Sequence, residues 1–304
     1  MIRLLLPVLV AAIAFTPAEA GQSFRERIAQ RMAQRMERQS QEAPVPGKTD
    51  IAYGADPLQH LDFWGAKGPD APLVIFVHGG GWKRGDKSNT TGAAKVSHYL
   101  AAGYAFASVN YRLVPAATVE QQAQDVADAV ATLRGQSAKL GFDASRIVLM
   151  GHSAGAHLVA LVGTDPRYFA RAGMKPDAVR GVIPLDGAAY DVPRQIAEGG
   201  NFMHDTYVQA FGTDPARQKA LSPTLQVAAP NAPDFLILHI ARDDGTAQST
   251  ALGAALRAAG TPAEVVAVEG KGLRGHMEIN RKLGEPDYPA TALVDAYLKR
   301  RIAR

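Results

Sequence analysis

Six short, almost unbroken apolar runs set the fold: Leu73 to Val77, Tyr104 to Val109, Ile147 to Met150, Val182 to Leu185, Phe235 to Ile240 and Glu264 to Val268. Helix-length segments separate them. A strand with one wet face alternates polar and apolar residues, whereas a strand covered on both faces does not, and βαβ crossovers lay helices on both faces of a sheet. The pattern therefore predicts an α/β protein with a mostly parallel central sheet between helices. Glu120 to Leu133 carries Ala123, Val126, Ala127, Val130 and Leu133 at helical spacing. Ala247 to Ala259 and Thr291 to Ile302 read as further helices, and Ile51 to Tyr53 with His60 to Trp64 as an early hairpin. The stretch from Asp191 to Pro233, rich in Pro, Gly and polar residues, is expected to be an insertion above the sheet.

The first 20 residues read as a signal peptide: Arg3, an apolar run from Leu4 to Phe15, then Ala18-Glu19-Ala20 before Gly21. Cleavage after Ala20 and a periplasmic or secreted location are the expectations. Residues 21–47 form an amphipathic leader and linker, with Phe24, Ile28, Met32 and Met36 recurring every four residues. Its five Arg against three Glu between positions 22 and 42 would suit weak association with an anionic membrane. A helix packed on its own domain is the plainer alternative. Pro44-Val45-Pro46-Gly47 closes the leader, leaving 48–304 as one catalytic domain with its insertion near 191–233.

Composition narrows the chemistry by exclusion. The 304 residues contain no cysteine, which removes a catalytic thiol, a Cys-type zinc site and disulfides. A net charge of +4 is too small to argue for a nucleic-acid partner. No histidine pair has zinc spacing, and no P-loop occurs. Gly270-Lys271-Gly272-Leu273-Arg274-Gly275 matches G-x-G-x-x-G, but the chain beyond it has room for one helix and no second strand. It reads instead as the loop carrying His276. Neither a cofactor nor a metal is expected, and the sequence leaves the oligomeric state open.

In open α/β sheets the chemistry gathers beyond the carboxyl ends of the strands. There the run IVLM leads into Gly151-His152-Ser153-Ala154-Gly155 and a helix-like AHLVALV. A serine on so tight a turn is pushed clear of the sheet, and its flanking glycines are needed because a Cβ would strike the adjoining strand or helix. Ser153 is the candidate nucleophile. His78-Gly79-Gly80-Gly81-Trp82 follows another run, and its bare backbone can approach a ligand. The amides of Gly80, Gly81 and Ala154 are the candidate oxyanion hole.

Of the eight histidines only His276 follows the last run, so it is the candidate general base. The orienting acid is expected beyond FLILHIA, at Asp243, with Asp244 as the alternative and Asp186, one strand earlier, as a third possibility. The order Ser153, Asp243, His276 is that of the α/β-hydrolase triad.

HGGGW-KRGDK, NYRLVP at 110–115, GHSAGAHL and GHMEIN together resemble the esterase and lipase branch of the α/β-hydrolases that includes the hormone-sensitive-lipase-like carboxylesterases. The likeness runs from about Tyr53 to the C-terminus. It implies an α/β-hydrolase fold and a metal-free serine esterase acting on small carboxylic esters through an acyl-enzyme. Two departures stand out. Asn110 occupies a position that is often Asp, and His239-Ile240-Ala241-Arg242-Asp243 replaces the usual H-G-x-x-D. An amidase or a non-catalytic binding module with the same residues remains an alternative. Tyr190, Phe202, Tyr207 and Phe211 would either line an apolar acyl or alcohol pocket or pack a lid.

Overall fold

The computed structural model describes residues 45–88, 91–198, 203–228 and 230–303. Residues 1–20, expected to be a signal peptide, the leader apart from residues 45–47, and Phe202 lie outside the described residues.

Eight strands form one sheet in the order β1-β2-β4-β3-β5-β6-β7-β8. They are β1 Thr49–Ala52, β2 His60–Trp64, β3 Ala71–Val77, β4 Ala105–Val109, β5 Phe142–His152, β6 Gly181–Leu185, β7 Phe235–Ala241 and β8 Ala263–Lys271. The hairpin β1-β2 is antiparallel and joins β4 antiparallel; every other pairing is parallel. Each of the six apolar runs falls on a strand.

Among the described residues seven helices have eight or more residues. These are α1 Ala93–Ala101, α2 Val119–Gly135, α3 Ala154–Thr164, α4 His204–Phe211, α5 Asp243–Ala258, α6 Gly272–Arg281 and α7 Pro289–Arg301. The start of α2 is fixed by a capping box, in which Thr118 accepts from the Gln121 amide and the Gln121 side chain accepts in return. Successive residues of β3 serve opposite cores. Leu73, Ile75 and Val77 pack with Val126 and Leu133 of α2, Leu158 of α3 and Leu252 of α5. Val74 and Phe76 pack with Tyr99 of α1, Ile279 of α6 and Leu298 of α7. Each fully buried side chain of this size contributes about 2 kcal/mol, so the two cores account for why the unbroken runs settle as interior strands.

The stretch between β6 and β7, expected as an insertion, holds short helices at 192–198, 204–211, 215–220 and 223–226. Pro at the first turn of the last two starts helices there rather than breaking them. His276 sits on α6, not in a loop: β8 runs on to Lys271 and the helix begins at once. Gly270 and Gly272, with φ of 146° and 56°, absorb the turn. Gly275 then packs on the Gly270 backbone, where a Cβ would lie 2.8 Å from the carbonyl carbon.

Candidate active site

Ser153 caps α3 with φ 56° and ψ −118°, a backbone state that L-residues adopt only under constraint. The constraint is visible. The Ser153 amide donates to Leu185 O at 3.0 Å. A Cβ on Gly151 would meet Gly155 O at 2.3 Å, and one on Gly155 would meet Val77 O at 2.2 Å. Both glycines are therefore dictated by the close approach of β5, α3 and β3. The turn holds the Ser153 hydroxyl beyond the strand ends, where it donates to His276 Nε2 at 3.1 Å.

The other ring nitrogen of His276 meets Asp186, not Asp243. Nδ1–H donates to Asp186 Oδ2 at 2.6 Å. The expectation of Asp243, with Asp244 as its alternative, is thus corrected to the third possibility. Asp186 follows β6 directly, and its φ of 43° folds the side chain back across the end of β7. Its amide donates to Leu238 O at 2.7 Å, and its Oδ1 accepts from the Ile240 amide at 3.1 Å. Asp243 and Asp244 are carried away because β7 continues to Ala241 and α5 begins at Asp243. Asp243 is exposed. Asp244 accepts from Gln195 Nε2 at 3.2 Å.

Asp186 is fully buried. Burial pushes its carboxyl up, but the His276 hydrogen bond, the charges of His276 and Arg242, and the Ile240 amide outweigh that and hold it below the ordinary carboxylate value. Arg242 belongs to no motif that marks it in the sequence. Its Nε lies 3.2 Å from Asp186 Oδ2. His152 is a second neighbour. Burial and the charge of His276 push it well below the ordinary histidine value, so it is neutral. Its Nε2–H donates to the His276 carbonyl at 2.8 Å, and the two rings lie 4.6 Å apart.

The loop after β3 is braced on several sides. Gly80 and Gly81 have φ of 129° and 61°. A Cβ on Gly79 would come within 3.0 Å of Ser153 Cβ, and one on Gly80 within 1.9 Å of Arg84 O. The amide of Ala154, first residue of α3, has no acceptor within its own helix. Tyr111 Oη donates to His78 O at 3.0 Å, and Gln122 Nε2 donates to Trp82 O at 2.7 Å. The departure at Asn110 has a local reason. Its Nδ2 donates to Asp86 Oδ2 at 2.8 Å while its Oδ1 accepts from the Lys87 amide at 2.5 Å. A carboxylate at position 110 could accept but not donate, and would repel Asp86.

The remaining histidines and aromatic residues do other work. His157 is buried between Trp82 and Leu221 O, His98 contacts Asp295 at 2.9 Å, and His60 contacts Asp50 at 2.5 Å. His204 is exposed. Tyr190, Tyr207 and Phe211 are buried, and Tyr207 and Phe211 lie 5.9 and 4.8 Å from Trp82, so α4 packs against the glycine loop through them.

A mostly parallel eight-stranded sheet with a serine on the strand-to-helix turn and a histidine beyond the last strand defines an α/β-hydrolase. The chain belongs to the BD-FAE family, whose profile matches residues 63–256, in agreement with the esterase and lipase branch expected from the sequence motifs. It is 35% identical over 205 residues to esterase LipC of Mycobacterium tuberculosis, covering 64% of this chain and 50% of the relative. It is 33% identical over 228 residues to esterase LipQ of the same organism, covering 70% of this chain and 53% of the relative. The chain thus spans about half the length of these curated relatives. Among solved structures, esterase B from Lactobacillus Rhamnosis superposes with a TM-score of 0.73 at 23% identity, covering 91% of each chain, which is a likeness of fold.

Proposed function

We propose that this chain is a serine hydrolase that cleaves small carboxylic esters through an acyl-enzyme intermediate. The observation that carries the reading is the unbroken relay from Asp186 through His276 to Ser153, at 2.6 and 3.1 Å. The names of the family's curated relatives support the ester as the bond cleaved. Ser153 Oγ attacks the ester carbonyl as His276 Nε2 takes its proton. Asp186 keeps Nδ1 protonated and offsets the charge of the imidazolium. The amides of Gly80, Gly81 and Ala154 receive the developing oxyanion, each donor being worth on the order of 3 kcal/mol in the transition state. The alcohol leaves with the proton from His276, and water activated by the same ring frees the acid.

Hydrolysis of short p-nitrophenyl esters by the purified protein and its Ser153→Ala variant tests this. Activity and fluorophosphonate labelling should both vanish in the variant; unchanged turnover would sink the proposal. Export belongs to the same reading, on the charge, apolar core and A-x-A order of residues 1–20. N-terminal sequencing of the protein recovered from its native compartment should begin at Gly21.

A further inference from the structure

Arg242 holds a position for which the chemistry above has no use. It is the last residue before α5, half-buried, and its guanidinium faces three acceptors, two on the turn after β6 and one in the first turn of α5. Nε lies 3.2 Å from Asp186 Oδ2, the same oxygen that accepts from His276. Nη2 donates to Gly187 O at 3.3 Å, and Nη1 stands 3.8 Å from Asp244 Oδ1. Space is kept for it: a Cβ on Gly245 would lie 2.8 Å from Nη2 and 3.1 Å from Nε. The turn after β7, where the sequence leads one to expect the acid, therefore presents a fixed cation to an acid supplied by β6.

We infer that Arg242 is a positioning residue that braces Asp186 against His276 and weakens the carboxylate's pull on the imidazolium, setting the lower pH limit of activity. The inference rests on the triad proposed above. A carboxylate shared between imidazolium and guanidinium stabilises the imidazolium less than an unshared one, so Ser153 keeps its neutral base partner to lower pH. The other groups around the pair do not supply this effect. His152, on the elbow, is neutral, and Tyr190 and Tyr288 are held protonated by burial. Lys95, from α1, is engaged with Asn280 at 3.0 Å. Asp244 acts with the opposite sign and lies beyond the guanidinium.

The test is the pH profile of kcat and kcat/KM for p-nitrophenyl acetate in Arg242→Gln, Arg242→Lys and Gly245→Ala, beside Asp186→Asn. In Arg242→Gln the acid limb should move up by about one pH unit, with plateau kcat falling roughly tenfold and KM changing little. Arg242→Lys should keep the limb close to its original place. Gly245→Ala, which retains a residue suited to a helix while displacing the guanidinium, should move it in the same direction as Arg242→Gln and serves if that variant does not fold. A limb that stays put in both Arg242→Gln and Gly245→Ala, with any loss equal at every pH, would overturn the inference. If Asp186→Asn remains fully active, the triad itself is wrong, an outcome separable from the failure of Arg242 alone.

Discussion

Asp186 Oδ2 stands 2.6 Å from Nδ1 of His276 across ninety residues of chain, and it arrives there from the end of β6 rather than β7. The two strands are neighbours in the sheet, so their carboxyl ends open onto the same rim. An acid from either can reach the ring. What decides is the local backbone. Asp186 turns back across β7 and is pinned by the Ile240 amide, while Asp243 is drawn into the first turn of α5 and faces solvent.

The two carboxylates should separate cleanly on substitution. Asp186→Asn is expected to lower kcat by about 10³- to 10⁴-fold, the scale set by the tautomer error that an amide imposes on the histidine in serine proteases. Asp243→Asn should leave kcat within twofold. Steady-state kinetics on one short ester decides it, and the reverse ranking would return the acid to the turn after β7.

The contrast shows what a sequence of this kind makes legible. The strands were readable because burial on both faces erases polar alternation, and Ser153 because Gly151 and Gly155 are demanded by contacts of 2.3 and 2.2 Å. His276 was readable by elimination. The acid was not, since Asp186, Asp243 and Asp244 each follow a strand, and the choice turns on a φ of 43° and on how far β7 continues. Arg242 is illegible in the sequence for a related reason. An arginine before a helix is ordinary in sequence, and its meaning comes from Asp186, 56 positions earlier, being folded beneath it.

Gly155→Ala probes the packing that forces the elbow. The new methyl would meet Val77 O at 2.2 Å and His78 O at 2.5 Å, backbone atoms at the end of β3 and the start of the glycine loop. Overpacking of this kind costs about 1–3 kcal/mol, so Tm should fall by several degrees, and kcat should drop in the folded protein as the loop is pushed away. Gly135→Ala, at the exposed end of α2 with nothing within 4 Å of its Cβ, is the matched control and should leave Tm unchanged or slightly raised. Equal Tm values for the two variants would contradict the steric account.

His157 gives the fold a pH dependence of its own, separate from catalysis. It is fully buried on α3, where Nδ1 accepts from Trp82 Nε1 at 3.3 Å and Nε2–H donates to Leu221 O at 2.8 Å. That pattern requires the neutral ring. Burial lowers its pKa from 6.5 to about 4, only partly countered by the Leu221 carbonyl. Between those values the unfolded chain binds a proton that the folded protein refuses, so stability falls as pH falls. The contribution is complete above about pH 6.5 and is lost progressively down to about pH 4, amounting to about 3 kcal/mol over the window. Urea midpoints at about pH 7, 5.5 and 4.5 should therefore descend more steeply for the wild type than for His157→Gln, whose side chain does not titrate. Parallel descent of the two would place the acid sensitivity elsewhere. The same ring joins Trp82 of the glycine loop to Leu221 of the helical insertion, so its protonation should also loosen α4 from that loop, read as faster amide exchange in residues 204–211 at the acid end of the window.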